Sequence, residues 1–202
     1  MPSRPSLFLH LGALASWRAK NRIHMPKKRL EKGLIQVYTG DGKGKTTCAL
    51  GLALRAAGQG FKVFIVQFLK GQQTGESAAV ARLAPEVTLR YFGRPGLVNL
   101  KAPAPEDLAR VQQAWDLARE VLAAGEHDLV ILDEINLCLT HGLVPLEEAL
   151  EVLQHRPPWV EVVLTGRQAP PELLALADLI TEMLPRKHYY QAGVKARRGI
   201  EW

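Results

Sequence analysis

The chain has 202 residues, of which 47% are hydrophobic and 23% charged, and its net charge is +6. That length suits one domain with one core, and no apolar run approaches the roughly 18 residues a membrane-crossing helix needs. The only cysteines, Cys48 and Cys138, are far apart and match no metal-ligand spacing. This excludes a disulfide framework and points to a reducing, cytoplasmic setting, with Cys48 expected as a buried structural thiol.

The positive charge is concentrated at one end. Residues 1–32 hold eight Lys or Arg against Glu31 alone, whereas residues 33–202 carry a net charge of −1. A sequence pI near 9.5 would ordinarily raise nucleic-acid binding, but a near-neutral body without interleaved aromatic and basic residues argues against it. The expectation is a basic arm over 1–32, disordered or lid-like, followed by a domain over 33–202. Within the arm, the short apolar stretch Leu7–Ala15 is a weak imitation of a signal peptide, interrupted by His10 and Gly12. A start at Met25, with 1–24 as an upstream extension, is preferred.

In chain order, Leu34–Tyr38 reads as a buried strand that runs into a Gly-rich loop. Lys45–Ala57 has helical spacing and stops at Gly58 and Gly60. Lys62–Phe68 is a second strand, Glu76–Leu83 a helix, and Val87–Phe92 a third strand whose Tyr91 and Phe92 are expected in the core. After a loop over Gly93–Pro105 comes a long amphipathic helix, Pro105–Ala124. Asp128–Leu132 is a strand, Pro145–Gln154 a helix, Trp159–Leu164 a strand, Pro170–Ala177 a helix and Leu179–Glu182 a last short strand. Strands separated by helices imply an α/β fold with a mostly parallel sheet flanked by helices.

Chemistry enters at Thr39-Gly40-Asp41-Gly42-Lys43-Gly44-Lys45-Thr46-Thr47, between a strand and a helix. Glycines let backbone N–H groups turn inward on phosphates, and the helix start adds partial positive charge. Lys45 supplies a full charge, and the Thr46 hydroxyl is placed for Mg²⁺ or Mn²⁺. Thr39 stands where the usual phosphate-loop pattern has glycine, and Gly40 follows it. Asp41 is expected to point away from the phosphates or to cap a backbone amide. The second signal is Val130-Ile131-Leu132-Asp133-Glu134, a strand delivering two carboxylates at its C-terminal end, so that Thr46, Asp133 and Glu134 can hold one hard cation. His24, His127, His141 and His155 show no metal spacing, and the four tryptophans read as packing residues.

These signals define a nucleotide site and leave its use open. TGDGKGKTT (39–47), ALGLALRAAGQG (49–60), VQFLKG (66–71), LDE (132–134), LTGR (164–167), LADLITEM (176–183) and KHYYQAGVKARRGIEW (187–202), in this order, resemble the corrinoid adenosyltransferases. The resemblance implies a RecA-like P-loop NTPase fold, usually a homodimer, that moves the 5′-deoxyadenosyl group of ATP to Co(I) of a reduced corrinoid and releases tripolyphosphate. It implies ATP and corrinoid as substrates and an electron donor for the cobalt. Lys45, Glu134 and Arg55 are the implied catalytic residues. Arg55 would contact phosphate, and Arg167 is a further implied contact. His188 falls in the family-like Lys187-His188 segment. Some members carry a Phe and a Trp before the long helix that displace the lower ligand of the corrin; those positions fall on Leu97 and Asn99 here. The preferred corrinoid, complete cobalamin or an earlier intermediate, stays open. So does a rival reading as a kinase or simple ATPase, and a non-enzymatic nucleotide switch is the reading from another class.

Overall fold

The computed structural model describes residues 29–71, 75–96 and 98–201. Of the basic arm expected over 1–32, residues 1–28, with the expected start at Met25, lie outside the described residues, as does Leu97. Six strands form one sheet: β1 (Ile35–Thr39), β2 (Val63–Phe68), β3 (Val87–Phe92), β4 (Leu129–Asp133), β5 (Glu161–Thr165) and β6 (Leu179–Glu182). Their order across the sheet is β3-β2-β4-β5-β1-β6, and every pairing is parallel. Helices α1 (Lys45–Gly58), α2 (Gly75–Val80), α3 (Pro105–Ala124), α4 (Ile135–Thr140), α5 (Leu146–His155) and α6 (Pro171–Leu176) make the connections. The expected α/β P-loop architecture is therefore present, with β5 lying between the phosphate-loop strand β1 and the acidic strand β4.

Strand alternation divides the apolar side chains between two faces. Val66, Phe68, Val130, Leu132, Val162 and Leu164 point to a core shared with Trp115, Ala118 and Leu122 of α3 and Leu153 of α5. Val63, Ile65, Leu129, Ile131 and Val163 point the other way, against Ala49, Ala53 and Ala56 of α1. The alanine stripe repeats every three or four residues, so α1 lies close on the sheet and its first turn is held at the end of β1. Sheets buried on both faces need such continuous apolar strands.

Several boundaries differ from the sequence expectation. The helix expected over Glu76–Leu83 ends at Val80, and a 3-10 turn, Ala81–Leu83, leads into Pro85. Helix α4 and a 3-10 turn at Tyr189–Ala192 were not expected; both are too short to show a hydrophobic period. Cys48 is exposed, not buried, because it sits beside the alanine stripe rather than on it. Tyr91 is exposed on the edge strand β3, whereas Phe92 packs at the core. Trp115 fills the core, and Trp159 packs against it while its Nε1 donates to the Gly125 carbonyl at 3.1 Å.

The loop before α3 is anchored by a two-pronged ion pair. Arg94 Nε and Nη2 donate to the two oxygens of Asp107 at 2.6 and 2.9 Å, and Asp107 also accepts from the Ala104 amide at 3.3 Å. Asn99 is spent locally, accepting the Lys101 amide at 3.2 Å. No helix among the described residues is long and apolar enough to cross a membrane. Because Trp115 is fully enclosed, Trp115→Ala should cost about 3–5 kcal/mol of folding stability, read as a lowered midpoint in chemical denaturation followed by far-UV circular dichroism.

Candidate active site

The loop between β1 and α1 sits on a strap of backbone. Met183, just past β6, donates its N–H to the Thr39 carbonyl at 2.9 Å and accepts the Gly42 N–H at 2.6 Å. A Cβ on Gly40 would come within 2.5 Å of the Met183 carbonyl oxygen, and one on Gly42 within 2.6 Å. Gly40 also has φ +89°, where L side chains are strained. Close approach to β6 therefore requires glycine at these positions. Gly44, at the N-cap of α1, rests over the Met183 side chain. Thr39, standing where a glycine was expected, is buried and accepts the Ala169 amide through its hydroxyl at 3.3 Å.

Above the strap opens a cleft of about 370 Å³. Gly42, Lys43, Gly44, Lys45, Thr46 and Thr47 form its floor, and Asp41, Lys70, Glu134, Arg167, His188 and Glu201 its walls. Lys45 Nζ donates to the Gly40 and Gly42 carbonyls at 2.6 and 2.8 Å. Burial lowers its pKa, partly offset by Glu134. Lys43 reaches the opposite wall, donating to the Ile200 carbonyl at 3.0 Å and lying 3.8 Å from Glu201. Asp41, on the rim shared with Arg167, lies 3.8 Å from Arg167 Nε.

Asp133, at the end of β4, is fully buried. Its Oδ1 accepts from Thr46 Oγ1 at 2.8 Å and Thr165 Oγ1 at 2.6 Å; its Oδ2 accepts from Gln67 Nε2 at 3.0 Å and Lys70 Nζ at 2.6 Å. Burial alone would raise this carboxyl, but the Lys70 charge and the hydroxyl donors outweigh it and hold the pKa below the usual range. Glu134 is the reverse case. Burial and the neighbouring Asp133 charge raise its pKa despite Lys70 and Lys45. Glu134 holds a left-handed backbone, φ +68°, and its N–H donates to Thr165 Oγ1 at 3.0 Å. That turn starts α4, whose buried Asn136 donates to the Gly166 carbonyl at 2.9 Å and fixes the segment carrying Arg167.

The structure thus gathers Lys45, Thr46, Asp133, Glu134 and Arg167. It does not bring Arg55 to them. Arg55 lies ten residues further along α1, roughly 15 Å at the helical rise, in a separate cleft with Leu52, Gln59, Phe61 and Glu161. The helix axis leads away from the loop, so only the first turn of α1 faces the cleft. Reading the sequence residue by residue missed Gln67, Lys70 and Thr165. Their signal lay in VQFLKG and LTGR, which were matched as strings without roles. Thr46 and Asp133 place a hydroxyl and a carboxylate side by side, the hard oxygen donors a divalent ion takes, and the Lys70 ammonium puts positive charge between them.

The wall formed by the C-terminal segment leads into a second cleft of about 440 Å³, lined by Pro185, Tyr189, Tyr190, Val194 and Ala196 and sharing Asp41, Arg167, His188 and Glu201 with the first. Residues 31–202 match the ATP:corrinoid adenosyltransferase family BtuR/CobO/CobP. The chain belongs to this family. A corrinoid adenosyltransferase of Pseudomonas aeruginosa is 41% identical over 175 residues, 86% of each chain. That of Escherichia coli K12 is 39% identical over 172 residues, 85% of this chain and 87% of its own. Corrinoid adenosyltransferase CobA of Salmonella typhimurium is 36% identical over 187 residues, 92% and 94% of the two chains. The chain is accordingly a transferase with the P-loop fold.

The raised pKa of Glu134 has a sign that can be checked. A carboxyl whose folded pKa is raised favours folding below its unfolded pKa, and that contribution is lost as pH rises through the folded value. Glu134→Gln removes the penalty, so the variant should melt higher than wild type near neutral pH. The gap should close toward about pH 4, near the ordinary glutamate value, where both side chains are neutral. Thermal melts across that range read it directly.

Proposed function

We propose that the chain transfers the 5′-deoxyadenosyl group of ATP to the Co(I) of a reduced corrinoid and releases tripolyphosphate. The observation that carries this reading is the meeting of the glycine loop, Lys45, Thr46 and Glu134 in one cleft, with Asp133 bonded to Thr46, within a chain of the adenosyltransferase family. The Co(I) electron pair forms the bond to C5′, the C5′–O5′ bond breaks, and its pair leaves on the triphosphate; cobalt becomes formally Co(III). No proton moves in this step, so no general base is required. The protein's tasks are positioning and the stabilisation of a polyanionic leaving group. Lys45, Lys43, Arg167 and the loop amides serve the latter. Mg²⁺ or Mn²⁺ held by Thr46, Asp133 and Glu134 supplies further charge neutralisation there when bound.

The apolar cleft beside the phosphate site offers a wall of aromatic and aliphatic side chains for the non-phosphate part of the substrates. In this reading residues 33–202 are the catalytic domain, the basic arm is a lid across a cytoplasmic homodimer, and a separate electron donor supplies Co(I). Asn99 offers no ring to displace a lower corrin ligand, and an incomplete corrinoid such as cobyrinic acid diamide would not require it to.

The test is an anaerobic assay with ATP, Mg²⁺ and chemically reduced cob(I)alamin or the diamide, with phosphate products analysed in the same tube. The expected result is a light-sensitive cobalt–carbon product with one intact tripolyphosphate per turnover, reduced about 10²–10³-fold in Lys45→Ala. Steady release of ADP without alkylation would replace this reading with phosphoryl transfer.

A further inference from the structure

Lys70 stands at the turn where β2 ends, and its placement is built rather than incidental. Leu69 before it holds a left-handed backbone, φ +59°, a conformation that costs free energy in a residue with a side chain. The backbone of Lys70 packs so closely under Gly93 that a Cβ there would lie 2.6 Å from it, and a Cβ on Gly71 would lie 2.2 Å from Arg94. Arg94 is in turn fixed to Asp107. From this braced turn the Lys70 ammonium reaches Thr46 Oγ1 at 3.1 Å and Asp133 Oδ2 at 2.6 Å.

Both residues are among the three, with Glu134, assigned to the divalent ion. An ion that binds oxygen at about 2.0–2.1 Å cannot share this side of Asp133 with an ammonium already at hydrogen-bond distance from the same groups. Repulsion between the two cations in a buried setting adds to the steric conflict. The ion therefore requires the ammonium to withdraw, and withdrawal is favourable only if another anion receives its charge. A triphosphate entering the same cleft, whose wall includes Lys70, is that anion.

We propose that Lys70 is a tethered counter-cation of the metal site: in the nucleotide-free protein its ammonium bridges Thr46 and Asp133, and it admits the divalent ion only together with the nucleotide. This inference rests on the metal assignment made under the proposed function. Lys70 is here a positioning residue. It keeps Thr46 and Asp133 in register without metal and prevents the site from loading an ion unaccompanied by phosphate.

The experiment measures protein-bound Mn²⁺ by water-proton relaxation, with and without ATP and without corrinoid, in wild type, Lys70→Met and Lys70→Arg. Wild type and Lys70→Arg should bind Mn²⁺ strongly only when ATP is present. Lys70→Met should bind Mn²⁺ without nucleotide about tenfold more tightly than wild type, or better. Should Lys70→Met fail to fold, Lys70→Gln, which leaves Asp133 a neutral donor, makes the same comparison. Equal nucleotide-free affinity in wild type and the neutral variant overturns the role of Lys70 while leaving the metal assignment in place. Absence of bound Mn²⁺ in wild type even with ATP overturns both.

Discussion

The arrangement turns on one buried carboxylate. Asp133 is out of water, yet its pKa is held below the ordinary range, so it is charged at neutral pH. A buried charge survives only when its oxygens are satisfied. Here the four donors come from four different places: Thr46 from the first turn of α1, Gln67 from β2, Lys70 from the turn beyond it, and Thr165 from the end of β5. Each hydrogen bond fixes the carboxyl end of one strand or the loop beside it. The carboxylate thereby sets the relative positions of the elements that build the cleft, at the carboxyl end of a parallel sheet, where such folds bind their ligands.

A second constraint acts from below. Met183 is bonded through its own backbone to the start of the phosphate loop at Thr39 and to its middle at Gly42. This makes the edge strand β6 part of the site although its side chains are exposed. It also accounts for the glycines in a way that ligand contact alone does not, because Gly40 and Gly42 face the Met183 carbonyl. The C-terminal segment continues from this strap and returns over the loop. Tyr189 and Arg197 both bond Glu201, Arg197 stacks on the Tyr189 ring, and Lys43 reaches Glu201. The C-terminal stretch of the family resemblance thus supplies a wall of the phosphate cleft.

The central strands β2, β4 and β5 were legible in the sequence to within a residue or two because they are largely apolar runs. The long helix Pro105–Ala124 was legible at both ends, since Pro fixes its start and Gly125, with φ +58°, its stop. Helix α4 was not, because six residues beginning at a left-handed Glu134 carry no period. The phosphate loop and the acidic pair were legible because their chemistry is local in sequence. Gln67, Lys70 and Thr165 were not, because their meaning comes from meeting Asp133 across the sheet. Arg55 is the opposite case: an assignment carried by resemblance alone, on a residue that lines a separate cleft.

The charges around the cleft are of two kinds, and their environments pull them apart. Asp133 is kept anionic by its donors, while burial and that same anion raise the pKa of Glu134. Burial lowers the pKa of Lys45, whose ammonium donates to the Gly40 and Gly42 carbonyls. In the proposed reaction, a triphosphate brought to the loop would offset the burial of the Lys45 cation. Stabilisation that appears only when negative charge collects at the loop is the kind that assists departure of a triphosphate. It is also the kind that the proposed attack by Co(I) would call for, since such a nucleophile leaves little for acid or base groups to do.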